Sequence, residues 1–162
     1  MDSRLFDLAV QVGQALKAKS WMLVTAESCT GGWVGEAVTM VSGSSEWFER
    51  GFITYTNIAK QEMLGVNAAT LEAHGAVSEQ TVREMVAGAL AHSHGHIAVA
   101  VSGVAGPTGG TPAKPVGTVC LAWAVSGAEP AAVTRLYAGD REAVRRQSVV
   151  DVLEGVLKLA RG

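Results

Sequence analysis

The sequence predicts an α/β fold, a three-layer α/β/α sandwich with a mixed sheet between two helical layers. Three observations lead there. Segments of helical period alternate with short apolar or β-branched runs over the first two-thirds of the chain. "HIAVAVSGV" (96–104) is a continuous apolar run, as expected of a strand covered on both faces. Two further strand-like segments and a helical segment then close the chain. The 162 residues suit one domain, 1–162, with a sizeable core.

Leu5, Leu8, Ala9, Val12 and Leu16 recur at helical spacing, so residues 3–19 read as an amphipathic helix. "WMLVTA" (21–26) reads as a strand. Thr30 or Ser28 can cap the next helix, whose buried stripe is Val34, Ala37, Val38 and Val41. Residues 42–51 form a loop with one helical turn, and "FITYT" (52–56) is a strand by its β-branched and aromatic content. Residues 57–65 and 67–74 are short helices. Val82, Met85, Val86, Ala89 and Leu90 mark a longer one at 79–92. A loop rich in Gly and Pro (105–115) leads to strands at 116–125 and 131–137, a hairpin across "SGAEP". Asp140 caps a last helix with the stripe Val149, Val152, Leu153, Val156 and Leu157.

Composition excludes several classes. Hydrophobic residues make up 48% and charged residues 17%, which suits a globular chain and not a disordered one. With 13 basic and 15 acidic residues, net charge −2 and no Lys/Arg run, neither a nucleic-acid groove nor an anionic-membrane surface is indicated. No apolar run is long enough to span a membrane, and the first twenty residues lack a signal peptide's apolar block. Cys29 and Cys120 stand alone, so no disulfide framework or zinc site is expected and a reducing cytoplasm fits. His92, His94 and His96 in "HSHGH" have no carboxylate or cysteine beside them, so neither metal nor cofactor is expected there.

Three polar loops interrupt this apolar chain, and in α/β sheets ligands bind beyond the strands' carboxyl ends. "TAESCTGGW" (25–33) brings a strand to a helix start at Gly31 and Gly32. Such a start is either a plain helix cap or an anion site built from exposed N–H groups. No GKS or GKT follows, so it is not a P-loop. "SGSSEWFERGFITYTNIAK" (42–60) gathers Ser44, Ser45, Tyr55 and Lys60. A serine needs a base to act as nucleophile, and a lysine with a lowered pKa can be that base. Otherwise Ser44 or Ser45 caps a short helix and Lys60 is solvated. "SGVAGPTGGTPAKPVG" (102–117) lets backbone approach a ligand, although it is no GxGxxG fingerprint. Trp21, Trp33, Trp47 and Trp123 read as core or pocket walls, with Trp47 beside Ser45 able to line a ring site. Cys29 reads as a small buried hydrophobe.

Taken in order, "TAESCTGG", "GSSEWFERGFITYTNIAK", "LGV", "HGAVSEQTV" and "SGVAGPTGG…KPVGTV" resemble the signature blocks of the CinA C-terminal domain family over about residues 5–160. The resemblance implies a cytoplasmic, metal-free homo-oligomer, a dimer being favoured. It implies hydrolysis of the carboxamide of nicotinamide mononucleotide to nicotinate mononucleotide and ammonia, within pyridine nucleotide recycling. Carried over by motif, it implies Ser45 as nucleophile with Lys60 as base and Tyr55 as relay, Ser28 being the competing serine. Substrate contacts are implied at Ser28, Thr30, Gly31, Gly32, Ser102, Gly103, Gly106, Gly109 and Arg141, with Arg145 as second choice to Arg141. The phosphate is expected at the helix start after Thr30 or against Arg141. Two other readings stay open: a non-catalytic nucleotide-binding module, and an amidohydrolase of another small carboxamide.

Overall fold

The computed structural model describes residues 1–162. Its elements run α1 (Ser3–Lys19), β1 (Leu23–Glu27), α2 (Trp33–Thr39), a 3-10 turn (Ser44–Glu46), β2 (Phe48–Ile53), α3 (Asn57–Leu64), α4 (Ala68–His74), α5 (Glu79–Ala91), β3 (Ile97–Gly103), β4 (Thr118–Val125), β5 (Ala131–Leu136) and α6 (Arg141–Arg161). The strands form one sheet in the order β2-β1-β3-β4-β5. β1 pairs in parallel with both β2 and β3, while β3–β4 and β4–β5 are antiparallel. The sheet is therefore mixed, as the sequence predicts.

Alternation along the strands sorts side chains onto two faces. Leu23, Ile97, Val99, Val101, Val119 and Leu121 pack with the buried stripes of α1, α2 and α6. Val24, Ala26, Ala98, Ala100, Ala122 and Ala124 meet Val82, Met85, Val86 and Ala89 of α5. The second face is almost all alanine, so α5 lies close to the sheet. α2 connects β1 to β2 over the first face, and α3–α5 connect β2 to β3 over the second. The first connection steps from β1 to its neighbour β2 and the second crosses back past β1 to β3, so the carboxyl ends of these three parallel strands lie together.

The caps follow local chemistry. Asp140 accepts the Ala143 N–H at 2.9 Å, as expected, and Asp2, Thr56 and Ser78 do the same for α1, α3 and α5. Element boundaries differ most at β2, which starts at Phe48 and not at Phe52. This is an edge strand, and Arg50 and Gly51 face water, so its first half carries no hydrophobic signal. "FITYT" marks only the strand's end, and Thr54–Thr56 already turns into α3. No helix is long and apolar enough to cross a membrane.

Close packing of α3 on α5 positions the turn that leads into the site. A Cβ at Gly88 of α5 would lie 1.9 Å from the Leu64 carbonyl oxygen at the end of α3. Gly88→Ala is expected to push the helices apart and lower stability by about 2–3 kcal/mol, read from urea unfolding.

Candidate active site

β1 ends in a buried acid. Glu27 is 2% exposed and points to the α2 side of the sheet. Its Oε1 accepts the Thr30 hydroxyl (2.6 Å), the Gly32 N–H (3.3 Å) and the Val34 N–H (2.9 Å), and its Oε2 accepts the Gly35 N–H (3.1 Å). A buried carboxylate is tolerated only with such a set of donors. The positive end of α2 is thereby satisfied by the chain's own anion. Neither Ser28 nor Thr30 caps α2; the residue at the cap position is Gly32, at φ +108°. The expected phosphate site at this helix start is corrected accordingly, since Glu27 already fills it.

Ser28 follows Glu27 and points to the opposite face, where α3 lies. The Lys60 ammonium donates to Ser28 Oγ at 3.0 Å. It also donates to the main-chain carbonyls of Thr54 (2.9 Å) and Tyr55 (3.4 Å), and Ser28 Oγ donates to the Tyr55 carbonyl at 3.4 Å. Lys60 is 1% exposed and forms no ion pair with any carboxylate. Burial drives its pKa below the ordinary lysine value. An uncharged amine within reach of a serine hydroxyl can take its proton. Nearby Cys29 is buried on the α2 side and its thiol is pushed up to about 11 by that burial, so it stays protonated.

Two arginines from the first turns of α6 hold the loops. Arg141 donates to the Gly106 carbonyl (2.8 Å) and to the Tyr55 hydroxyl (2.9 Å), tying the glycine-rich loop to the turn after β2. Arg145 donates to the Cys29 (3.0 Å) and Thr30 (3.1 Å) carbonyls and stacks over Trp33. Ser28 and Ser102 are buried side by side, since the Ser28 N–H bonds to the Val101 carbonyl at 2.9 Å.

The family model described as the CinA C-terminal domain matches residues 5–160. The chain belongs to the CinA C-terminal domain family. It is 53% identical to the nicotinamide-nucleotide amidohydrolase PncC of Escherichia coli K12, over 94% of this chain and 93% of that protein. It is 50% identical to the protein of the same name from Enterobacter agglomerans, over 97% and 96%. Among solved structures, the competence/damage inducible protein CihA of Agrobacterium tumefaciens superposes with a TM-score of 0.94 at 42% identity, covering 96% of this chain and 95% of that one.

The structure gathers most, but not all, of the residues expected from the CinA motifs. Ser28, Lys60, Tyr55, Thr30, Gly31, Gly32, Ser102, Gly103, Gly106 and Arg141 belong to the carboxyl end of β3, the turns after the parallel strands, the first turn of α3 or the start of α6. Gly109 sits on the exposed rim of the glycine-rich loop. Ser45 is elsewhere. It is exposed in the 3-10 turn before β2, beside the Lys17–Glu46 ion pair. β2 lies between Ser45 and Lys60, a span of about 20 Å at strand rise, so Ser45 does not reach the lysine. Trp47 next to it packs its ring on Gly13 of α1 and lines no ring site near Lys60. The Tyr55 hydroxyl is held by Arg141, and it is the Tyr55 carbonyl that joins the Ser28–Lys60 contact, so the phenol is no relay here. The three histidines near 92–96 are separate: His92 Nδ1 meets the Gly88 carbonyl and His96 Nδ1 accepts the Met22 N–H.

Sequence reasoning missed Glu27. Its signal is an acid placed directly after a buried strand, which demands nearby donors. Removing it should show: Glu27→Ala strands Thr30 and three N–H groups, and stability is expected to fall by about 3 kcal/mol in urea unfolding. The lowered Lys60 pKa has a defined sign as well. Between its folded pKa and the ordinary value near 10.4 the unfolded chain binds the extra proton, so stability rises with pH. Wild-type protein should gain stability relative to Lys60→Met as pH is raised from 7 towards 10, measured by denaturant midpoints at each pH.

Proposed function

We propose that this CinA-family chain is an amidase that hydrolyses the carboxamide of nicotinamide mononucleotide, giving nicotinate mononucleotide and ammonia. The observation that carries this is the Lys60–Ser28 contact of 3.0 Å in a buried site. The printed names of the two amidohydrolase relatives supply the substrate class.

Ser28 is the nucleophile in this reading, in place of Ser45. Lys60, whose pKa is lowered by burial, takes the Ser28 proton in its uncharged form as Oγ bonds to the amide carbon. The carbonyl oxygen becomes an oxyanion and is met by main-chain N–H groups of the turn after Ser28, held in place by Glu27 and Arg145. The C–N bond then breaks, Lys60 returns the proton to the departing nitrogen, and ammonia leaves. Water attacks the acyl-serine with Lys60 again as base, releasing the carboxylate product. Tyr55, half exposed and fixed by Arg141, forms a wall for the pyridine ring. Arg145 supports the turn from behind, while Arg141 joins the glycine loop to Tyr55.

The same proposal includes a single amidase domain over residues 1–162, a cytoplasmic homodimer and a place in pyridine nucleotide recycling. The near-complete mutual coverage with the amidohydrolase relatives supports the single-domain reading.

Ammonia release from nicotinamide mononucleotide is the test. Ser28→Ala is expected to lower the rate roughly a thousandfold or more, Lys60→Arg comparably because arginine stays protonated, and Ser45→Ala not at all. Full turnover by Ser28→Ala would remove this mechanism. A folded wild-type protein that binds the nucleotide without releasing ammonia would instead make it a binding module.

A further inference from the structure

A nucleotide bound with its amide at Ser28 needs a place for its phosphate, and both positions suggested by sequence are taken. Glu27 occupies the start of α2 with its own negative charge. Arg141 is engaged by the Gly106 carbonyl and the Tyr55 hydroxyl.

A different cleft is in register with Ser28. Ser28 lies beside Ser102; Ser102 is paired with Cys120 across β3–β4, and Cys120 with Thr134 across β4–β5. These four residues form one row on the α5 face of the sheet, where the other rows are alanine and valine. The far half of the row, Cys120 and Thr134, lines a cleft of about 400 Å³ framed by the end of α4, the start of α5 and the loop before β4. Its cations are Lys114 and Arg83. Lys114 Nζ has one protein partner, the His74 carbonyl at 2.6 Å. The cleft's one carboxylate, Glu79, is drawn aside by the Thr134 hydroxyl (2.8 Å) and by Arg83 (3.7 Å). At a strand spacing of about 4.8 Å, Cys120 is two strands, or roughly 10 Å, from Ser28. That is the reach of one ring and one ribose. "HGAVSEQTV" and "KPVGTV", the two motifs to which the Ser28–Lys60 chemistry assigns no role, supply most of this lining.

We propose that this cleft is the phosphate subsite, with Lys114 and Arg83 as counter-ions to a nucleoside monophosphate and Glu79 beside the ribose hydroxyls. The assignment rests on the amidase reading only for which end of the ligand lies at Ser28.

The test is calorimetric binding of nicotinamide mononucleotide and of nicotinamide riboside, which lacks the phosphate, to wild type, Lys114→Ala and Arg83→Ala. Both substituted side chains reach solvent, and two independent variants guard against one misfolding. Each variant is expected to weaken mononucleotide binding about tenfold, equivalent to about 1.4 kcal/mol, and to leave riboside binding unchanged. Equal losses for both ligands, or no loss for the mononucleotide, would overturn the subsite. Ammonia release by the wild type is measured in parallel and bears on the amidase reading alone: its absence with the phosphate-selective losses intact would sink the chemistry and keep the subsite.

Discussion

The arrangement depends on one buried carboxylate. Glu27 closes the positive end of α2 with four hydrogen bonds and fixes the turn that follows β1. Because successive residues of a strand face opposite ways, seating Glu27 on the α2 side turns Ser28 towards α3. The helix start is thus a structural joint whose donors are taken by the chain's own carboxylate. The same local chemistry that attracts a phosphate elsewhere here attracts the protein's own side chain.

Lys60 supplies the opposite kind of constraint. An amine without a carboxylate partner, 1% exposed, is held by two carbonyls and one hydroxyl. Burial of this kind works against folding and lowers the pKa, and both effects come from the same desolvation. The rest of the second core, with α5 close against its alanine face, offsets that cost. The Thr54 and Tyr55 carbonyls that receive Lys60 belong to the turn leaving β2, so the strand's end and the helix's first turn together aim the amine.

Much of the fold was legible because period and content agree. The stripe of α1, the apolar run of β3 and the Asp140 cap each carry a local signal that tertiary structure did not override. The start of β2 is not legible, because an edge strand with Arg50 and Gly51 facing water has no alternation to read. The site divided in the same way. Lys60, Tyr55, Ser102 and Arg141 stand in or beside polar turns that are conspicuous in an apolar chain. The choice between Ser45 and Ser28 was not legible, because closeness in sequence favours Ser45, only fifteen positions from Lys60. β2 carries Ser45 to the far end of the sheet, while parallel pairing with β1 brings Ser28 beside Thr54. Parallel register is a long-range property that no local pattern encodes.

The two arginines of α6 give the order of folding a chemical meaning. Arg145 meets the Cys29 carbonyl across 116 positions of chain, and Arg141 meets Tyr55 across 86. During synthesis the turn carrying Ser28 emerges long before the helix that braces it. Until α6 docks, the Cys29 and Thr30 carbonyls and the Tyr55 hydroxyl lack their arginine partners, so the bracing of this end of the sheet arrives with the last helix.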